Sequence, residues 1–214
     1  MAEMTHAEQK PEMPEKARVV LAAAREVFLT HGFAAATTDM IQQRAGVSKS
    51  TVYSYFPGKE ALFEAVLQTE CSAHMSRLEG LPSERDDLRM SLHRVSVAYL
   101  DLILAPSSLA LHRAAVAETV RFPEISRIFF QSGPLTFQTL IEALLTRATE
   151  RGELALSADK VARLAPLYAG MLRGDWQVRL LTQSPPETPS HEALVAWVDF
   201  VLDTLFRGIA PQVS

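Results

Sequence analysis

Apolar residues recur along this chain at spacings of three and four, interrupted at intervals by proline and glycine, and no useful length alternates as a half-buried strand would. The pattern predicts an all-α protein of about nine helices. A first helix is expected from about Pro14 to His31, and a long one from near Lys59 to about Glu79, where Gly80 and Pro82 stop it. Ser83 begins another that ends before Pro106, and Ser107 or Ser108 caps the next, which ends near Arg121. Residues 123–132 and 134–151 form two helical stretches, separate or kinked, around Gly133-Pro134. Two more, from about Ala158 to Thr182 and from about Ser190 to Arg207, flank the proline-rich loop Gln183 to Pro189.

Between the first and the long helix, Thr37 to Glu60 reads as two short helices joined by a glycine turn. Thr37 and Thr38 offer capping hydroxyls, Met40, Ile41 and Ala45 mark one face, and Gly46 supplies the backbone freedom to end the helix. Ser48 is a second N-cap, and the second helix runs to Phe56, where Pro57 disfavours helical geometry. This is the pattern of a helix-turn-helix, whose second helix enters the DNA major groove; the alternative is a short helical hairpin with packed tyrosines and solvated lysines. Hydroxyls and ammonium groups concentrate there, and such groups suit phosphate oxygens and base edges. Lys49 and Ser50, at the N-terminal end, are the candidates for base contacts, and Thr51, Tyr53, Tyr55 and Lys59 for backbone contacts. Thr37 and Ser48 complete the candidate DNA-binding set.

Residues 16 to 67 resemble the DNA-binding domain of the TetR family of bacterial transcriptional regulators. The resemblance rests on Gly32-Phe33, Thr37, Ala45-Gly46-Val47-Ser48, Tyr53-Ser54-Tyr55-Phe56 and Lys59-Glu60-Ala61-Leu62-Phe63. It implies that Lys49, Ser50, Thr51, Tyr53, Tyr55 and Lys59 meet DNA, with Thr38 near a phosphate. The chain departs from the family at Gln42, where a small alanine is usual; the bulkier side chain either shifts the angle between the helices or points to solvent.

With 214 residues and 48% hydrophobic content, the chain can form a small DNA-binding domain and a larger one with its own core. The expected divisions are a flexible N-terminal tail (1–13), a three-helix DNA-binding domain (14–60) and a helical effector-binding and dimerisation domain (61–214). A formal net charge of −4 would count against nucleic acid if spread evenly. From Lys16 to Lys59, however, six cations stand against two anions, a local +4 that leaves −8 elsewhere.

No run approaches the roughly 20 apolar residues of a membrane span, and the N-terminus lacks the apolar core of a secretion signal, so a cytoplasmic protein is expected. The single Cys71 falls in an apolar helical pattern and reads as a buried, inert thiol. The six histidines are scattered, so neither a metal site nor a cofactor is expected. His112, Glu118 and Asp175 share no spacing with one another, and there is no Gly-rich phosphate loop or nucleophile elbow; an enzyme is the remote alternative.

Both C-terminal helices carry more apolar surface than one core face needs, including Leu164, Leu167 and Tyr168 on one and Trp197, Val198 and Phe206 on the other. Burial on more than one side follows from the pattern; that this means a homodimer through a four-helix bundle is what the TetR resemblance implies. Two recognition helices about 34 Å apart would then read a palindrome. Residues 109–208 further resemble the AefR-like C-terminal domain, through Arg121-Phe122-Pro123-Glu124, Gly133-Pro134, Arg151-Gly152-Glu153-Leu154 and Gly170 to Asp175. The resemblance implies a repressor released from its operator by a small-molecule effector; a dimeric DNA-binding protein without an effector is the alternative. Candidate cavity walls are Tyr99, Ile103, His112, Phe129, Phe130, Phe137, Leu140, Tyr168 and Trp176, with Arg113 or Arg173 as partner for an anionic group.

Overall fold

Threonine, serine and glycine start and stop the first helices. In this computed structural model, which describes residues 13–183 and 188–209, α1 (Glu15–Ala35) is broken where Gly32 takes φ 71° and ψ 170°, beyond the expected end at His31. The Thr37 hydroxyl accepts the Met40 N–H at 3.2 Å and opens α2 (Thr38–Ala45). Gly46, at φ 65°, closes it by donating its N–H to the carbonyls of Gln42 and Gln43. Ser48 accepts the Thr51 N–H and opens α3 (Lys49–Tyr55), and Phe56 is extended ahead of Pro57. The long helix α4 (Lys59–Glu79) follows. Of the expected tail, residues 1–12 lie outside the described residues.

Two compact units are present, divided between Val66 and Leu67, within α4. In the first, Phe28, Phe33 and Phe63 form an aromatic cluster, with Phe63 4.9 Å from Phe33 and edge-on to Phe28 at 5.0 Å between centroids. Ile41 of α2 and Val52 of α3 are fully buried, which anchors both helices of the motif through one apolar face each.

The second unit contains α5 (Leu88–Ile103), α6 (Pro106–Glu118), α7 (Pro123–Phe130), a π-helical turn (Gln131–Leu135), α8 (Thr136–Glu150), α9 (Ala158–Arg173), α10 (Trp176–Thr182) and α11 (His191–Ile209). Its core draws on α5, α8, α9 and α11, through residues such as Leu92, Leu100, Phe137, Ile141, Leu172 and Leu202. Across it, the Ser96 and Tyr168 hydroxyls are hydrogen-bonded at 2.7 Å.

The described residues are all-helical, as expected, but several boundaries move. Ser83 does not start α5: the Asp86 carboxylate accepts the Ser83 N–H and holds a turn there, and Asp87 supplies the cap, accepting from the Met90 N–H at 2.7 Å. Ser107 and Ser108 do not cap α6, because Pro106 already occupies its first turn, where a missing N–H costs nothing. That helix ends at Glu118 rather than near Arg121. Around Gly133-Pro134 the chain runs on as a π-helical turn between α7 and α8. Residues 158–182 are two helices, split where Gly174 takes φ 48° and ψ −136°. No single helix among the described residues is long and apolar enough to cross a membrane; α5 and α6, apolar enough only when taken together, are bent by 66° at their junction.

Candidate nucleic-acid interface and a cavity in the second unit

The caps that form the motif also position its polar side chains. At the start of α3 the Ser48 hydroxyl lies 2.8 Å from both the Ser50 and the Thr51 hydroxyls, a connected cluster of donors and acceptors. Lys49 is exposed and pairs with Asp39 of α2 at 2.9 Å, a hydrogen-bonded ion pair that raises the Lys49 pKa. Thr38 and Tyr53 bring their hydroxyls within 3.4 Å, linking the two helices of the motif. Tyr53 and Tyr55 are 45% and 37% exposed, too open for core aromatics. Thr37, by contrast, spends its oxygen on the α2 cap.

Lys59 stands apart from this group. Its Nζ donates to the Phe33 carbonyl at 2.9 Å and the Ala34 carbonyl at 3.3 Å, and lies 4.3 Å over the Phe33 ring. It therefore holds the C-terminal end of α1, where the carbonyls attract a cation. Arg44 is likewise tied back, to Glu26 of α1. Gln42 does not point to solvent: its Oε1 is buried and makes no hydrogen bond among the described residues.

In the second unit a cavity of about 360 Å³ opens among α4, α5, α6, α7, the π-helical turn, α9 and α10. Tyr99, Ile103, His112, Phe129, Phe130 and Arg173 line it. The other expected wall residues lie elsewhere. Phe137 is fully buried and stacked on Tyr99, at 3.6 Å between centroids, without lining the cavity. Tyr168 is buried in the core with its hydroxyl on Ser96, and burial raises its pKa. Leu140 and Trp176 pack against that core, with the Arg179 guanidinium 5.7 Å from the Trp176 ring. Arg113 donates to the Leu180 and Leu181 carbonyls near the end of α10.

Sequence reasoning missed the contribution of α4 to this cavity: Cys71, His74 and Met75 line it, and their spacing of three and four was the available signal. It also missed Gln177, whose amide nitrogen lies 3.3 Å from His112 Nδ1. Burial, reinforced by the Arg173 charge, lowers the His112 pKa and keeps the imidazole neutral at neutral pH. Burial pushes the Cys71 thiol up to about 11, so it stays protonated. Among the described residues, no group of three or more His, Cys, Asp or Glu side chains is placed to hold a metal ion.

Residues 20–66 match the family of bacterial regulatory proteins known as the tetR family, and residues 90–208 match the AefR-like transcriptional repressor C-terminal domain. The HTH-type transcriptional regulator SrpR of Pseudomonas putida is 28% identical over 174 residues, 81% of this chain and 78% of SrpR. Among solved structures, the flavonoid-responsive regulator FrrA superposes with a TM-score of 0.76 at 28% identity, over 92% of this chain and 98% of FrrA. A TetR-family structure from Mesorhizobium loti superposes with a TM-score of 0.82 over 90% of this chain and 96% of its own; at 22% identity that likeness speaks to the fold. This chain belongs to the TetR family, with an AefR-like C-terminal domain, and is a DNA-binding transcriptional regulator rather than an enzyme.

Proposed function

We propose that the protein is a cytoplasmic, homodimeric repressor that binds a palindromic operator through α3 and leaves it when a small molecule enters the cavity of the second unit. The observation that carries this reading is the exposed donor face at the start of α3, with Lys49, Ser50 and Tyr53 open to solvent on a helix anchored by buried Val52. Lys49 and Ser50 read base edges; Thr38, Thr51, Tyr53 and Tyr55 grip phosphates, and Lys59 sets the end of α1 beneath them. The repressor sense is supported by the description of the C-terminal family, and control by a small molecule by the flavonoid response of FrrA.

Dimerisation through α9 and α11 is supported by apolar side chains that the single chain leaves open: Leu167 is 57% exposed and Phe200 61%. On α9 the exposed positions include Pro166, Leu167 and Gly170, small or apolar residues that suit close approach of a second helix. Release requires an effector that favours the geometry unable to bind DNA, and a tenfold loss of affinity needs about 1.4 kcal/mol of differential binding.

The test is a fluorescence anisotropy titration against DNA flanking the gene, beside a scrambled duplex at equal near-physiological salt. A preference of at least about a thousandfold for a palindromic segment, with two chains per duplex, is expected. Equal, weak binding to both duplexes, or a monomer by light scattering that Leu167→Glu leaves unchanged, would overturn the reading.

A further inference from the structure

The cavity carries unlike charges on different walls. On the α4 side stands Glu70, whose charge reinforces the elevation of the Cys71 pKa. On the α9 side stands Arg173, which lines the cavity together with Tyr99 and His112 and whose charge is felt by both. No ion pair to Arg173 is found among the described residues, although Arg163 of α9 and Arg179 of α10 pair with carboxylates one turn away. A guanidinium facing a largely apolar cavity without a carboxylate partner is a costly arrangement that an anion relieves.

The groups around Arg173 are donors or neutral. Burial raises the pKa of the Tyr99 phenol, so it keeps its proton, and the Gln177 amide sits on the neutral His112 ring. The lining is otherwise largely apolar, and two of its apolar residues, Val116 and Phe130, are 54% and 51% exposed. Its volume, about 360 Å³, falls at the small end of the roughly 300–1,000 Å³ typical of sites for small organic molecules.

Resting on the effector reading above, we propose that the cavity takes an amphiphilic organic acid: an anionic oxygen of a carboxylate, sulfonate or ionised phenol on Arg173 and the Tyr99 hydroxyl, and a flat apolar body between Ile103 and Phe129. Arg173 sets the preference for an acid over the neutral compound of the same shape. Arg113, engaged by α10 carbonyls, has no part in it.

Two fluorescent probes that differ by one sulfonate test this: 1-anilinonaphthalene-8-sulfonate and the neutral N-phenyl-1-naphthylamine, titrated into the full chain. Both are expected to bind, and Ile103→Trp, which fills the cavity, to weaken both. Arg173→Gln is expected to weaken the sulfonate at least about tenfold and the neutral probe less than about twofold, with Arg173→Lys recovering part of the loss. If Arg173→Gln leaves sulfonate binding unchanged, or weakens both probes equally at an unaltered unfolding midpoint, the acid preference is wrong while the cavity remains a ligand site. If neither probe binds, or Ile103→Trp expels neither, the effector reading fails and takes the acid proposal with it.

Discussion

Gly174 lies against Trp197: a Cβ at position 174 would come 2.9 Å from Trp197 Cζ2, and the same indole donates its Nε1–H to the Leu172 carbonyl at 2.8 Å. The indole thus satisfies a carbonyl in the last turn of α9 and occupies the space any other residue at 174 would need. With φ 48° and ψ −136° the backbone there also disfavours a side chain. Gly174→Ala is expected to destabilise the protein by about 2 kcal/mol or more, from backbone strain and overlap together. Urea unfolding at fixed protein concentration checks it, and an unchanged midpoint would refute the packing argument.

Gln42 gives the opposite sign. Its buried Oε1 has no hydrogen-bond partner among the described residues, and an orphaned buried acceptor costs about 1–3 kcal/mol. Gln42→Met keeps the length of the side chain and removes the amide, so it is expected to stabilise the protein by about 1 kcal/mol. Thermal unfolding decides between this and a neutral or destabilising exchange, which would mean the amide is solvated.

Asp39 restrains a charge that DNA would use. The Lys49–Asp39 pair is roughly half exposed on both sides, so breaking it costs the fold little. Asp39→Asn frees the Lys49 ammonium for base edges and is expected to raise operator affinity several-fold at low salt, more than it raises affinity for a scrambled duplex. An equal gain on both duplexes would instead place Lys49 on a phosphate.

Lys59 should behave as a structural cation. Because its ammonium is held by the Phe33 and Ala34 carbonyls, Lys59→Met is expected to lower stability by about 1 kcal/mol and to leave the salt slope of DNA binding unchanged. Loss of about one unit of slope would instead place Lys59 on the DNA backbone.

Two cavity groups give stability a pH dependence at opposite ends. The His112 pKa is lowered in the fold, so the unfolded chain takes up its proton first, and stability falls as pH drops below about 6.5. The Cys71 pKa rises from an ordinary 9.0 to about 11, so the unfolded chain ionises first, and stability falls as pH rises from 9 toward 11. Denaturant titrations across pH should show His112→Asn flattening the acid limb and Cys71→Ser the alkaline one; unaltered limbs would contradict the burial of either group.

What could be read from residue order was whatever depends on near neighbours. The caps at Thr37 and Ser48, the glycine stop at Gly46 and the proline stop after Phe56 each act within four residues, and each appears in the structure as expected. The all-helical class followed from periodicity in the same way. Where a feature depends on distant partners, order was silent. Residues 158–182 look like one helix until Trp197, more than twenty residues away, is found against Gly174. Tyr99 and Tyr168 look alike as aromatic positions on apolar helices, yet folding turns Tyr99 to the cavity and ties Tyr168 to Ser96 in the core. Lys59 looks like one more basic group beside the motif until the end of α1 returns to meet it. Local backbone chemistry is written in adjacent side chains, whereas the face a side chain presents, and the charge it meets there, arises from helices that pack from far along the chain.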